Sequence, residues 1–155
     1  MKKIHIGFLL SYDYELLKFS LPPVYKSADR IFLARDKELR TWKGQNFTID
    51  PKFYDWLEAF DVDNKIEIYE DDFYVPELST IENDTRERTM LSHKMGIGNW
   101  LIQVDSDEYF IDFEFLQQQD INNLLTFSGK HLLIELSTYQ APPNLFETIF
   151  QLKIK

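Results

Sequence analysis

Apolar residues in this chain fall into short blocks that switch between the two-residue period of strands and the longer period of helices. Ile4 to Leu10 is a block suited to a buried strand, and Ser11 to Asp13 supplies turn and capping chemistry before a helix from Tyr14 to Ser20. Pro22-Pro23 is expected to stop that helix. A short amphipathic turn, Val24 to Ala28, then leads into a second apolar strand, Arg30 to Ala34. Strand, helix, strand is the opening of a parallel βαβ unit.

Leu39 to Thr48 is irregular, carries Trp42 and Gly44, and reads as a loop on the strand-end side. Asp50-Pro51 marks a helix start, the acid as N-cap and the proline in the first turn. Phe53, Trp56, Leu57 and Phe60 recur at helical spacing and are expected to face the core, with Asp61 to Asn64 closing the helix. Lys65 to Tyr69 alternates as a third strand, and Glu70-Asp71-Asp72 reads as an acidic loop after an edge strand.

Asn83 to Met95 predicts a further helix, capped by Asn83 or Asp84, with Glu87 following the cap and Leu91 and Met95 as apolar contacts. Gly96-Ile97-Gly98 closes it. Trp100 to Val104 is a fourth strand, Asp112 caps a short helix through Leu116, and His131 to Leu136 is a fifth strand before Pro142-Pro143. Neither a repeat nor a low-complexity run interrupts this order. The expected fold class is α/β, a Rossmann-like and mainly parallel sheet flanked by helices, in one domain over residues 1–155.

The fourth strand ends in Asp105-Ser106-Asp107. Alternate strand residues share a face, so Asp105 and Asp107 are expected to aim at one point, where a cation would offset their repulsion. Hard oxygen donors suit Mg²⁺, Mn²⁺ or Ca²⁺, which makes Asp105 and Asp107 the candidate metal ligands. Ligands of open α/β sheets bind beyond the carboxyl ends of the strands, so Ser11-Tyr12-Asp13, Arg35-Asp36-Lys37 and Asp105-Ser106-Asp107 are expected to converge on one crevice. Neither GxGxxG nor GxxxxGK[ST] is present, and His5, His93 and His131 show no HExxH spacing. Each candidate has a plainer alternative: a solvated acidic turn for Asp105 to Asp107, a cap of the next segment for Asp36, pairing with Glu82 or Glu87 for Arg86 and Arg88, and a core or rim aromatic for Tyr12 and Trp42.

A net charge of −9 and a pI near 4.8 argue against a nucleic-acid backbone as partner, while a metal-bridged diphosphate stays compatible. With no cysteine, disulfides and thiolate metal sites are excluded. Lys2-Lys3 precedes an apolar run, but His5 and Gly7 break that run and no small-residue cleavage site follows, so a strand fits better than a signal peptide. No segment approaches the ~20 apolar residues of a membrane span. The chain thus reads as cytoplasmic, with peripheral membrane contact compatible.

Together these residues resemble the N-terminal, nucleotide-sugar-binding part of a family 2 type glycosyltransferase of the GT-A fold. The resemblance rests on the first strand with Ser11-Tyr12, on Asp36 at the end of the second strand, on Arg88-Thr89 or Arg86 in a helix, and on Trp100 to Asp107. Thr89 stands where the family pattern has Asn. A group of sugar transferases also has Asp-Lys-x-x-x-x-Trp-x-Gly after the second strand, matched by Asp36-Lys37 through Trp42-Lys43-Gly44. The match covers roughly residues 2 to 116.

The resemblance implies a Mn²⁺ or Mg²⁺ held by Asp107, and by Asp105 directly or through water, bridging the diphosphate of a nucleoside-diphosphate sugar. It implies that Asp36 hydrogen-bonds the base or ribose, that Arg86 or Arg88 adds a cation near the nucleotide, and that Ser11 and Tyr12 line the same site, with Tyr12 stacking on the base. The acceptor, whether sugar, lipid-linked sugar or protein, is left open, as is the catalytic base, which in the family lies well downstream of Asp-x-Asp. The chain is accordingly expected to be a fragment or a shortened relative. Two other readings use the same acids: a Mg²⁺-dependent phosphoryl-transfer enzyme, and a non-catalytic nucleotide-sugar or metal-binding module.

Overall fold

The computed structural model describes residues 3–109; the helix expected after Asp112 and the strand expected at His131 to Leu136 lie outside the described residues. Four strands, β1 (Ile4–Leu9), β2 (Arg30–Asp36), β3 (Ile66–Asp71) and β4 (Trp100–Val104), form one sheet in the order β3-β2-β1-β4. Every pairing is parallel, with Phe8 opposite Leu33 on one side and Val104 on the other. The helices are α1 (Leu17–Ser20), entered through a 3₁₀ turn at Tyr14–Leu16, then α2 (Pro22–Tyr25), α3 (Pro51–Phe60) and α4 (Thr80–Met95).

The chain builds outward from β1 to β3 and then returns to the far side of β1. With right-handed crossovers, that reversal puts α4 on the opposite face of the sheet from the earlier helices. On the α4 face, Leu9, Phe32, Ala34, Phe73, Leu91 and Met95 form a buried cluster. Period-two alternation sends Ile6, Phe8, Ile31 and Leu33 to the other face, where all are inaccessible to solvent. Burying side chains such as Leu91 and Met95 contributes about 2 kcal/mol each.

Gly7 lets α4 lie close on β1, because a Cβ there would sit 2.8 Å from the Met95 sulfur and 2.9 Å from a Leu91 methyl. His5 fastens the same C-terminal end of the helix, its Nδ1 donating to the Met95 carbonyl at 2.6 Å.

Several expectations shift in detail. The helix expected from Tyr14 to Ser20 opens as a 3₁₀ turn, and Pro22 starts α2 as well as ending α1, since a proline at the first helical position loses no intrahelical donor. In α3, Asp50 caps as expected, accepting from the Lys52 amide at 2.9 Å. Phe53 and Leu57 reach the core, whereas Trp56 and Phe60 stack on each other at its rim with ring centroids 5.1 Å apart. The start of α4 is the larger correction. Ser79 is its N-cap, in a reciprocal capping box with Glu82, and Asn83 is buried inside the helix.

Candidate functional site

The carboxyl ends of β1 and β4 border the point where strand order reverses, which is where open α/β sheets leave a crevice. A cleft of about 360 Å³ lies there. Leu9 to Asp13 line it from the end of β1, Asp36 from β2, and Asp105, Ser106 and Asp107 from β4. The loop after β2 adds Arg40 to Lys43, Gln45 and Phe47, and α4 adds Thr80 and Glu87. Of the three clusters expected to meet, the first and third do so in full, and the second contributes Asp36. Arg35 turns instead to Tyr54 and Glu70, and Lys37 to Asp72 at 2.5 Å.

Asp36 is buried and densely bonded. One oxygen accepts from the backbone amides of Glu38 and Arg40 at 3.1 and 3.2 Å and from Arg40 Nε at 2.9 Å. The other accepts from Arg40 Nη2 at 3.3 Å and from the amides of Phe73 and Tyr74 at 3.1 and 3.2 Å. Burial pushes this carboxyl up, but the Arg40 guanidinium and the amides outweigh it and hold it below the ordinary range. The capping alternative is therefore realised, and the carboxylate ties the turn after β2 to the segment after β3. Glu70 and Asp71, expected in an acidic loop, instead extend β3 to pair with Arg35 and Asp36, and only Asp72 follows the strand, where it pairs with Lys37 and Arg40; β3 is at the edge of the described sheet.

The Asp105 to Asp107 segment departs from its expected geometry. β4 ends at Val104, and the next residues form a turn closed by the Glu108 amide on the Asp105 carbonyl at 3.0 Å, so strand alternation no longer governs where the two acids point. Asp105 is neutralised by Arg88, whose Nη2 lies 2.6 Å from one carboxylate oxygen while its Nε reaches Asp84 at 2.6 Å. Burial lowers the Arg88 guanidinium's affinity for its proton, and the Asp105 and Asp84 charges more than restore it. Asp107 is exposed on the cleft wall. Between them Ser106 is buried and donates to Asp13 at 2.5 Å, joining the tips of β4 and β1.

Arg88 and Arg86 are absent from the cleft lining. Arg88 acts on it through Asp105, with its guanidinium over the Trp42 ring, 6.0 Å from the centroid. Arg86 donates to the Asp72 carbonyl at 3.1 Å. Their partners are thus Asp84, Asp105 and a carbonyl; Glu82 is engaged in the capping box with Ser79, and Glu87 accepts from the Trp42 indole. Tyr12 is 70 % exposed, so its ring is available at the cleft mouth. Ser11, next to it in the chain, also lines the cleft.

Glu87 is the functional candidate that the sequence reading passed over. It is 7 % exposed, lines the cleft, and accepts from the Trp42 indole N–H at 2.5 Å. Burial pushes its carboxyl up to about 7, against smaller opposing effects of the Trp42 hydrogen bond and the Arg88 charge. Trp42 is fixed a second time, its carbonyl accepting from the Asn83 amide at 3.2 Å. The signal was present in the sequence: stepping back in fours from Met95 through Leu91 gives Glu87 and then Asn83, which puts two polar side chains on the buried stripe of α4.

Among the described residues, no group of three or more His, Asp or Glu side chains is arranged to hold a metal ion. Asp13, Asp105 and Asp107 are the carboxylates that the tips of β1 and β4 place in the cleft lining. No described helix is long and apolar enough to cross a membrane. No family model matches the chain, and neither the curated proteins nor the solved structures contain a match to it. The sheet order and its parallel pairing are compatible with a Rossmann-like fold.

Proposed function

We propose that this chain is the donor-binding part of a metal-dependent glycosyltransferase of the GT-A type, which takes a nucleoside-diphosphate sugar. The observation that carries this reading is the meeting of Ser11 to Asp13 with Asp105 to Asp107 in one cleft at the reversal of strand order. A volume of about 360 Å³ lies within the range of small-molecule sites. Asp107 would hold Mn²⁺ or Mg²⁺ together with the diphosphate, and Asp105, kept in place by Arg88, would join through its other oxygen or a water. Such a cation supplies charge stabilisation as the nucleotide departs. Tyr12 would cover the base at the cleft mouth.

The net negative charge of the protein makes the cation necessary in this reading, since a diphosphate would otherwise be repelled. Lys43, which also lines the cleft, would add a positive group for the same phosphates. Calorimetric titration with UDP-, GDP- and dTDP-sugars, each with and without Mn²⁺, tests the proposal. It predicts that one nucleotide binds and that its affinity depends on the metal. Binding that ignores the metal, or no binding by any of the three, would reject it.

A further inference from the structure

Asp36 and Glu87 both line the cleft, yet their capacities to accept another hydrogen bond are opposite. Both oxygens of Asp36 are taken by donors from Glu38, Arg40, Phe73 and Tyr74. A ligand donor approaching Asp36 would have to displace one of these and leave a buried N–H unpaired. Glu87 accepts only from Trp42 among the described residues, through one oxygen. Its remaining oxygen has no partner among the described residues and is open to a ligand donor in the cleft wall.

Building on the nucleotide-sugar reading, we propose that Glu87, and not Asp36, receives a hydrogen bond from the nucleoside, donated by a ring N–H or a ribose hydroxyl. Trp42 orients the carboxyl by occupying one oxygen, so a single ligand donor completes it. The charged groups around it come from several elements. Asp84 and Arg88 lie on its own helix, Asp36 at the end of β2 is paired with Arg40, and Asp105 beyond β4 is paired with Arg88. Burial outweighs the Trp42 hydrogen bond and the Arg88 charge, so the Glu87 proton is exchanged near neutrality. A ligand donor favours its ionised form, so binding releases a proton and strengthens as pH rises.

The test is calorimetric binding of the UDP-, GDP- and dTDP-sugars with Mg²⁺ from about pH 6 to about pH 8, an interval in which these diphosphate diesters do not titrate. For the nucleotide that binds, affinity should rise roughly tenfold across that interval in the wild type and stay flat in Glu87→Gln. For a ribonucleotide, the same series with its 2′-deoxy form separates the donors: loss of the slope assigns the 2′-hydroxyl, and its persistence, like a slope with a dTDP-sugar, assigns the ring N–H or the 3′-hydroxyl. PH-independent wild-type binding overturns the role of Glu87 and leaves the nucleotide reading standing. Absence of binding by all three overturns both. The wild-type series decides the matter even where Glu87→Gln fails to fold.

Discussion

The tips of β2 and β4 carry the same signature, an apolar strand running into aspartate, and the fold uses them in contrasting ways. At β2, Asp36 is enclosed by donors from its own turn and from the segment after β3, so it acts as a fastening inside the rim. At β4, Arg88 neutralises Asp105 while Asp107 is left exposed on the cleft wall. An acid becomes structural where backbone amides are already held around it, and stays available where the chain turns outward. Sequence spacing alone does not distinguish the two, because the donors that enclose Asp36 lie as far away as Phe73 and Tyr74.

The contrast can be broken most forcefully at β2. Asp36→Ala removes a buried charge and leaves the Arg40 guanidinium and two pairs of backbone amides without their acceptor, so stability should fall by about 3–5 kcal/mol. Urea denaturation measures it, and a loss under about 1 kcal/mol would show that the enclosure is not what holds this rim together.

Next in size is Glu87. Its folded carboxyl titrates near 7 against an ordinary 4.5, so the folded state holds a proton that the unfolded chain has released between those values. Stability from this group is fully present below about pH 4.5 and is lost as pH rises toward 7, on the order of 2–3 kcal/mol. Glu87→Gln should therefore gain stability relative to wild type on going from about pH 5 to about pH 8. Parallel pH profiles for the two proteins would contradict the burial assigned to this carboxyl.

Arg88→Ala leaves Asp84 and Asp105 without their shared cation and should cost about 1–2 kcal/mol, a loss that thermal unfolding would register. An unchanged melting temperature would mean that Asp105 is balanced by something other than Arg88. Smallest is Asp107→Asn, expected within about 0.5 kcal/mol of wild type because the side chain is exposed. A substantial loss there would erase the difference between the two strand tips.

The parallel sheet was legible because Ile4 to Leu10, Arg30 to Ala34 and Trp100 to Val104 are apolar enough to be buried and are spaced by helix-length segments. Convergence of the strand ends followed from that topology. The start of α4 was not read correctly, since Asp84 and Glu87 offered a second plausible cap and Ser79 with Glu82 was overlooked. That error hid Glu87 by moving it from the buried stripe to a capping position. The pairing of Asp105 with Arg88 was equally hidden, because it depends on how α4 is rotated against β4, a property of packing between elements distant in sequence.

The account rests on Asp107 as the cleft's open ligand for a cation shared with a diphosphate. Its most direct test is the rise in melting temperature of wild type and Asp107→Asn with the bound nucleotide sugar, each with and without Mn²⁺. The account predicts that the metal-dependent part of the rise disappears in Asp107→Asn while the protein stays folded. An equal metal-dependent rise in both proteins would contradict it.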